Sequence, residues 1–258
     1  MSGHGYRIAL EHVTYRTSRF ADKAVLDGVD LHIEPGEFVA LVGSNGAGKS
    51  TVLRALAGEI EVAGMVTVGG QEVDRPVNQI IDGVGVVHQD EGIDLIDGLT
   101  VAQNISIRQL LGTRKAGPFF VDTKTWRRHI AATLGAHSPV DYDLDEIVGN
   151  LNGGRKQMLA VTIAIHLEHE RNPCRALLLD EHTSRLDHAN AREIMEYTAT
   201  QARTTAATTV MVTHRYSHAI AYADRIIVLR DGKIAGDFRA TKFPNPETLA
   251  SFIEGVAA

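Results

Sequence analysis

Gly43-Ser44-Asn45-Gly46-Ala47-Gly48-Lys49-Ser50 is the stretch that decides the fold. It fits G-x-x-x-x-G-K-[ST]. From average residue usage, a chance match in a chain of this length is on the order of 1%, so context has only to support it. The context does. Phe38-Val39-Ala40-Leu41-Val42 before it is a continuous apolar run, as in a strand buried on both faces. Thr51-Val52-Leu53-Arg54-Ala55-Leu56-Ala57 after it is helical in pattern. Glycines let the backbone curl so that N–H groups point inward at phosphate oxygens. The helix start adds partial positive charge. In that frame Lys49 bridges β- and γ-phosphates, Ser50 offers its hydroxyl to Mg²⁺, and Thr51 completes the loop.

Working outward, the first 40 residues read as strands: Arg7 to Tyr15 alternates in part, and Ala24 to Ile33 alternates better. Residues 60–88 read as short strands with Gly69-Gly70 as a hairpin turn. From about 100 to 170 the character is helical, with interruptions at Gly117-Pro118 and Ser138-Pro139. Ala176-Leu177-Leu178-Leu179, Thr208 to Thr213 and Arg225 to Leu229 are further buried strands, with a helix from Ala189 to Arg203 and a closing turn at Asp231-Gly232-Lys233. Buried strands separated by helices predict an α/β fold with a mainly parallel sheet covered on both faces, preceded by an antiparallel β region. The chain is read as one domain over residues 1–258, with a helical subdomain at about 90–165 inserted into the core.

Bulk properties fit such a domain. Of 258 residues, 44% are hydrophobic and 22% charged, enough for a core of useful size. The net charge of -6 argues against a nucleic-acid binder held by bulk charge. Cys174 is alone, so no intrachain disulfide forms, and a small buried apolar role is expected. No apolar run reaches the roughly 18 residues of a membrane span, and residues 1–7 lack the apolar core of a signal peptide. The chain is therefore expected to be soluble by itself and held at any membrane by a partner.

Leu177-Leu178-Leu179-Asp180-Glu181 is a buried strand ending in two acids. Taken alone, such a pair is more often a solvated turn. Downstream of a phosphate loop, Asp180 reads as a holder of the Mg²⁺ shell and Glu181 as the general base that polarises the attacking water. Gln89 follows Gly85-Val86-Val87-His88; Leu151-Asn152-Gly153-Gly154-Arg155-Lys156-Gln157 lies further on; Ser184-Arg185-Leu186-Asp187 and His214 follow the acids.

The order of these motifs resembles the ABC ATPase family over nearly the whole chain. The resemblance implies ATP and Mg²⁺ as ligands. It makes Gln89 the Q-loop glutamine, touching Mg²⁺ and water and hinging toward a membrane partner. Residues 151–157 occupy the place of the signature L-S-G-G-Q, so Asn152, Gly153 and Gly154 would meet the γ-phosphate. Asp187 belongs to the D-loop, and His214 is the switch histidine at the γ-phosphate. Tyr15 sits where an aromatic residue stacks on adenine; core or edge-strand packing is its other reading, and Phe20 is its competitor. The strings Asp180-Glu181-His182-Thr183 and Met211-Val212-Thr213-His214-Arg215 look like the branch linked to importers of amino acids or similar small organic solutes.

The chain departs from the family pattern at Asn152 for serine, Arg155 for glutamine and His182 for proline. Asn152 can still donate through its amide. Arg155 is expected to add positive charge beside the anionic ligand, and His182 to be structural. The family implies two copies that sandwich two ATP molecules head to tail. Each copy would bind a transmembrane permease, with a solute-binding protein in the same system. The place of work would be the cytoplasm, peripheral on the inner face of the cell membrane. The rival readings are a soluble ABC ATPase that remodels a non-membrane complex and a non-hydrolysing regulatory binder. The intact Lys49, Asp180 and Glu181 speak against the second rival. The transported solute leaves no trace in the sequence.

Overall fold

A computed structural model describes residues 5–18, 23–77, 81–112, 123–167 and 174–255. Two sheets form its frame. The first, in the order β2-β1-β4-β5, is antiparallel and built from β1 (Ile8–Tyr15), β2 (Leu26–Ile33), β4 (Ala63–Val68) and β5 (Gln71–Glu72). Its register pairs apolar residues of one face, Ile8 with Ile33 and Leu10 with Leu31. At His12 the register shifts, with φ at 53°, and the His12 N–H donates to Asp30 Oδ1 instead of the ladder. Gly69 and Gly70, at φ 59° and 77°, join β4 to β5 in the expected two-residue hairpin, a turn that needs positive φ at both central positions.

The second sheet runs β10-β9-β3-β8-β7-β6. Strands β3 (Phe38–Val42), β6 (Val84–Val87), β7 (Ala176–Asp180), β8 (Thr208–Val212) and β9 (Arg225–Arg230) are parallel. This is the predicted α/β class. Alternate residues of each strand feed two cores. Val39, Leu41, Leu178 and Val210 pack with Leu10, Leu26 and Leu56 between the sheets. Phe38, Ala40, Leu177, Leu179 and Met211 pack with the helices on the far face. Both faces of the strands are thus dry, which is why the strands read as unbroken apolar runs.

Two elements differ from the sequence reading. Val84–Val87 leaves the region of short strands and joins the parallel sheet beside β7. Beyond the turn at Asp231–Gly232, β10 (Lys233–Arg239) pairs antiparallel with β9.

Between β6 and β7 lie α2 (Glu91–Asp94), α3 (Val101–Gly112), α4 (Thr123–His137), α5 (Gly153–Thr162) and a π-helical turn at Ile163–Leu167. Helix α1 (Lys49–Leu56) follows β3, α6 (His188–Thr205) follows β7, α7 (Tyr216–Tyr222) follows β8, and α8 (Pro246–Gly255) follows β10. Cys174 is buried, as expected for a lone thiol. No helix among the described residues is long and apolar enough to cross a membrane.

Candidate functional site

The phosphate loop hangs between the buried end of β3 and the first turn of α1. Gly43 has φ 150°, and a Cβ there would stand 2.2 Å from Leu229 O. Gly48 caps α1 in the left-handed region at φ 103°, with no room for a Cβ beside Val25 O and Leu26. These two glycines are required by geometry. Lys49 is 5% exposed, and its Nζ donates to Gly43 O at 3.0 Å and Ser44 O at 2.9 Å, so the ammonium closes over the loop's concave side. Burial pulls the Lys49 pKa below the usual lysine range, against the pull of Glu181 and Asp180.

The acids arrive from β7 beside it. Ser50 Oγ donates to Asp180 Oδ1 at 3.0 Å. Burial raises the Asp180 carboxyl above its usual range, although the Ser50 hydrogen bond pulls the other way. A half-buried carboxylate compensated mainly by a hydroxyl, with that hydroxyl also an oxygen donor, suits a hard divalent cation. Glu181 is held from both sides: His214 Nε2 is 2.6 Å from Oε1, and Gln89 Nε2 donates to Oε2 at 3.1 Å. The Glu181 backbone has φ 44°, a left-handed conformation uncommon for a residue with a side chain. Asn45, Gly46, Lys49, Ser50, Glu181 and His214 face one open cleft of about 330 Å³.

Six expected residues therefore meet: Lys49, Ser50, Asp180, Glu181, His214 and Gln89. Tyr15 is partly buried against the core between the sheets, and its carbonyl accepts from Val25 N at 2.8 Å. Val25 lines the cleft, so Tyr15 sits one residue contact behind it. Phe20 lies outside the described residues.

The second group of expected residues lies apart from that cleft. Asn152 is the N-cap of α5, its Oδ1 accepting from Arg155 N at 2.9 Å, which leaves the amide NH₂ free of that duty. Asp187 caps α6, accepting from Ala189 N at 2.9 Å and Asn190 N at 3.0 Å. A Cβ on Gly154 would stand 3.2 Å from Asn190 Oδ1, so the signature and the D-loop lie side by side. The expectation for Arg155 is corrected. Its guanidinium turns into the helical region, donating to Asp141 O at 2.8 Å and lying over the Tyr142 ring, 5.3 Å from its centroid. Tyr142 in turn donates its hydroxyl to Arg155 O. An aromatic face, a backbone carbonyl and the Glu146 carboxylate, 3.7 Å away, hold the cation there. His182 is buried and 4% exposed; desolvation first, then the charge of His218, pushes its ring down to about 3, so it is neutral.

A cluster that sequence reading passed over stands beside Gln89 in the chain. His88 Nδ1 is 2.7 Å from Asp94 Oδ1 and its Nε2 is 2.7 Å from Glu59 Oε1. Burial alone would lower the His88 pKa; the hydrogen bonds to Asp94 and Glu59 outweigh it and raise it to about 10. Nothing in the spacing of positions 59, 88 and 94 announces this contact.

The profile of the ABC transporter family matches residues 26–184, a span that holds the phosphate loop, Gln89, the signature and both acids. The chain belongs to the ABC transporter family. It carries the ATPase cassette of that family. The tyrosine transport ATP-binding protein of Clostridioides difficile (strain R20291) is 32% identical over 222 residues, covering 83% of this chain and 84% of that protein. The xylose/arabinose import ATP-binding protein XacJ of Haloferax volcanii is 35% identical over 246 residues, covering 93% of this chain and 60% of that protein. The ribose import ATP-binding protein RbsA of Geobacillus kaustophilus is 33% identical; this chain spans only 43% of its length. Among solved structures, a dimeric ATP-binding cassette in a post-hydrolysis state bound to ADP and Pi shares the fold of this ABC cassette. Its TM-score is 0.74 at 24% identity, over 90% of this chain and 98% of that one.

Proposed function

We propose that this chain is the ATP-hydrolysing subunit of an importer, driving a small organic solute through a separate membrane permease. The observation that carries this reading is the cleft faced by Lys49, Ser50, Glu181 and His214, with Asp180 bonded to Ser50 and Gln89 to Glu181. The names of the relatives, which are ATP-binding proteins of tyrosine and sugar import, support transport as the work done. The domain is read as one unit over residues 1–258, with the helical region as an insertion.

The residues divide the chemistry. Backbone N–H groups of residues 43–50 and the start of α1 receive the phosphates, and Lys49 exchanges its loop carbonyls for β- and γ-phosphate oxygens. Ser50 and Asp180, with Gln89, would hold Mg²⁺, which when bound neutralises phosphate charge. Glu181 accepts a proton from water as the water oxygen bonds to the γ-phosphorus and the bridging oxygen leaves with ADP. His214 holds Glu181 in place and reaches the γ-phosphate, while Tyr15 stacks on adenine. Asn152, Gly153, Gly154 and Asp187 serve the site of a second copy in a head-to-tail dimer that closes on ATP.

Ile93, Ile96 and Ile147 are exposed, at 62%, 49% and 39%, on the stretch after Gln89 and on the segment that bridges back to Thr100. Exposed apolar residues so close to the Gln89 segment suit a permease segment. That permease, together with a solute-binding protein, would place the chain on the cytoplasmic face of the membrane. The test is a Glu181→Gln chain expressed in its own cells and recovered from solubilised membranes. It should bind ATP, hydrolyse it at least about 100-fold more slowly, and come with a multi-span membrane protein. Normal turnover would remove Glu181 as the base, and recovery with soluble partners alone would remove the transporter.

A further inference from the structure

We propose that His88 is a positioning residue for hydrolysis: gripped between the carboxylates of Glu59 and Asp94, it fixes the backbone from which Gln89 reaches Glu181. The inference rests on the reading of Glu181 as the base and adds the element that aims it.

The grip has three sides. Asp94 holds both the backbone and the ring of His88, through Oδ2 to His88 N at 2.7 Å and Oδ1 to Nδ1 at 2.7 Å. A ring tied at the same carboxylate as its own N–H has one orientation open to it. Glu59 holds the far edge through Nε2. Glu59 follows α1, its N–H donating to Arg54 O at 2.9 Å, and its Oε2 lies 3.6 Å from Arg54 Nε. The helix that begins at Lys49 and Ser50 therefore ends against His88. From the third side, Arg108 on α3 donates to Asp94 Oδ1 at 3.2 Å and to Val86 O at 3.0 Å. The phosphate-loop helix, the end of β6 and the helical region thus converge on one imidazole.

The next residue is Gln89, which donates to the Glu181 oxygen that His214 leaves open. Among the described residues Glu181 has one hydrogen-bonding or ion-pair partner per oxygen, so any drift of residues 88–89 frees half of the carboxylate. A buried apolar side chain at position 88 would fill the same space, but it would fix no direction. Two short polar contacts do.

The test is steady-state ATP hydrolysis by the purified chain. His88→Ala should lower kcat by at least about tenfold and leave KM for ATP within about twofold, as expected when only the hydrolytic step is disturbed. His88→Asn places an amide near the Nδ1 position, keeps Asp94, and should recover most of the loss. Glu59→Gln, at a half-exposed position, should give a smaller fall in kcat than His88→Ala. In a Glu181→Gln background, His88→Ala should change the residual rate by less than about twofold, because it acts through that carboxylate. An unchanged kcat in His88→Ala overturns the inference. So does an equal loss in the Glu181→Gln background, or a loss of ATP affinity that matches the fall in kcat. If His88→Ala does not fold, unchanged kcat in both His88→Leu, which fills the space without the polar contacts, and Glu59→Gln overturns it. Full turnover in Glu181→Gln alone would remove the base and this inference together, whereas slow turnover there with a normal His88→Ala removes this inference only.

Discussion

The two groups of residues proposed to meet nucleotide are built in opposite ways in this chain. Around the phosphate loop, side chains from the start of α1 and from the ends of β6, β7 and β8 hold one another at and behind a single cleft: Lys49 on loop carbonyls, Ser50 on Asp180, Glu181 between Gln89 and His214. At the signature, Asn152 and Asp187 each satisfy the backbone of their own helix start, and neither borders that cleft. One region is a site. The other is a surface with two capped helix starts, apart from that cleft. The contrast is what a shared site predicts, since each half would be finished by another molecule.

Lys49→Ala should break the first half most severely. The expected loss of turnover is about 10³-fold or more, read in a phosphate-release assay, because a preorganised charge is removed where the phosphates sit. A fall of less than tenfold would mean that the loop's N–H groups suffice without the lysine. The comparison itself is sharpened by mixing. Gly154→Asp leaves the phosphate loop intact and puts an anion on the signature, where the nearest neighbour, the end of the Asn190 side chain, can give way. Each variant alone should be nearly inactive. Equal mixing should restore about a quarter of the wild-type sites, since half the dimers are mixed and each has one intact pair of halves. No recovery would mean that both motifs serve the same copy. The smallest effect belongs to Arg155→Gln. It removes the cation over Tyr142 and the bond to Asp141 O, and should cost about 1 kcal/mol, or about 2–4 °C in Tm. A large loss of ATP affinity instead would return Arg155 to the phosphates.

Much of this was legible in the sequence, for a physical reason. The phosphate loop needs a fixed run of backbone shapes, and β3, β7, β8 and β9 need residues dry on both faces; both demands are local and print as strings. The placement of β6 beside β7 was not legible, because Val84-Gly85-Val86-Val87 is too short to say which sheet it joins. Strand β10 was missed because Lys233 to Arg239 alternates between exposed and half-buried residues on an edge, with little apolar signal. The side chain of Arg155 could not be aimed from its motif, since Asp141 and Tyr142 lie a helical turn and a loop away in sequence. Position 88 failed similarly: its partners at 59 and 94 are ordinary surface-type acids until the fold brings them together.

With Glu181 as the proposed base, its left-handed backbone sets stability and turnover against each other. A non-glycine residue at φ 44° costs on the order of 1 kcal/mol, and here that cost falls on the one carboxylate that both Gln89 and His214 address. Glycine would relax the turn and make the chain harder to melt. A population selected only to survive heat would therefore drift toward a sturdier protein that holds its nucleotide and does nothing with it. The strained residue is kept only where selection acts on work done.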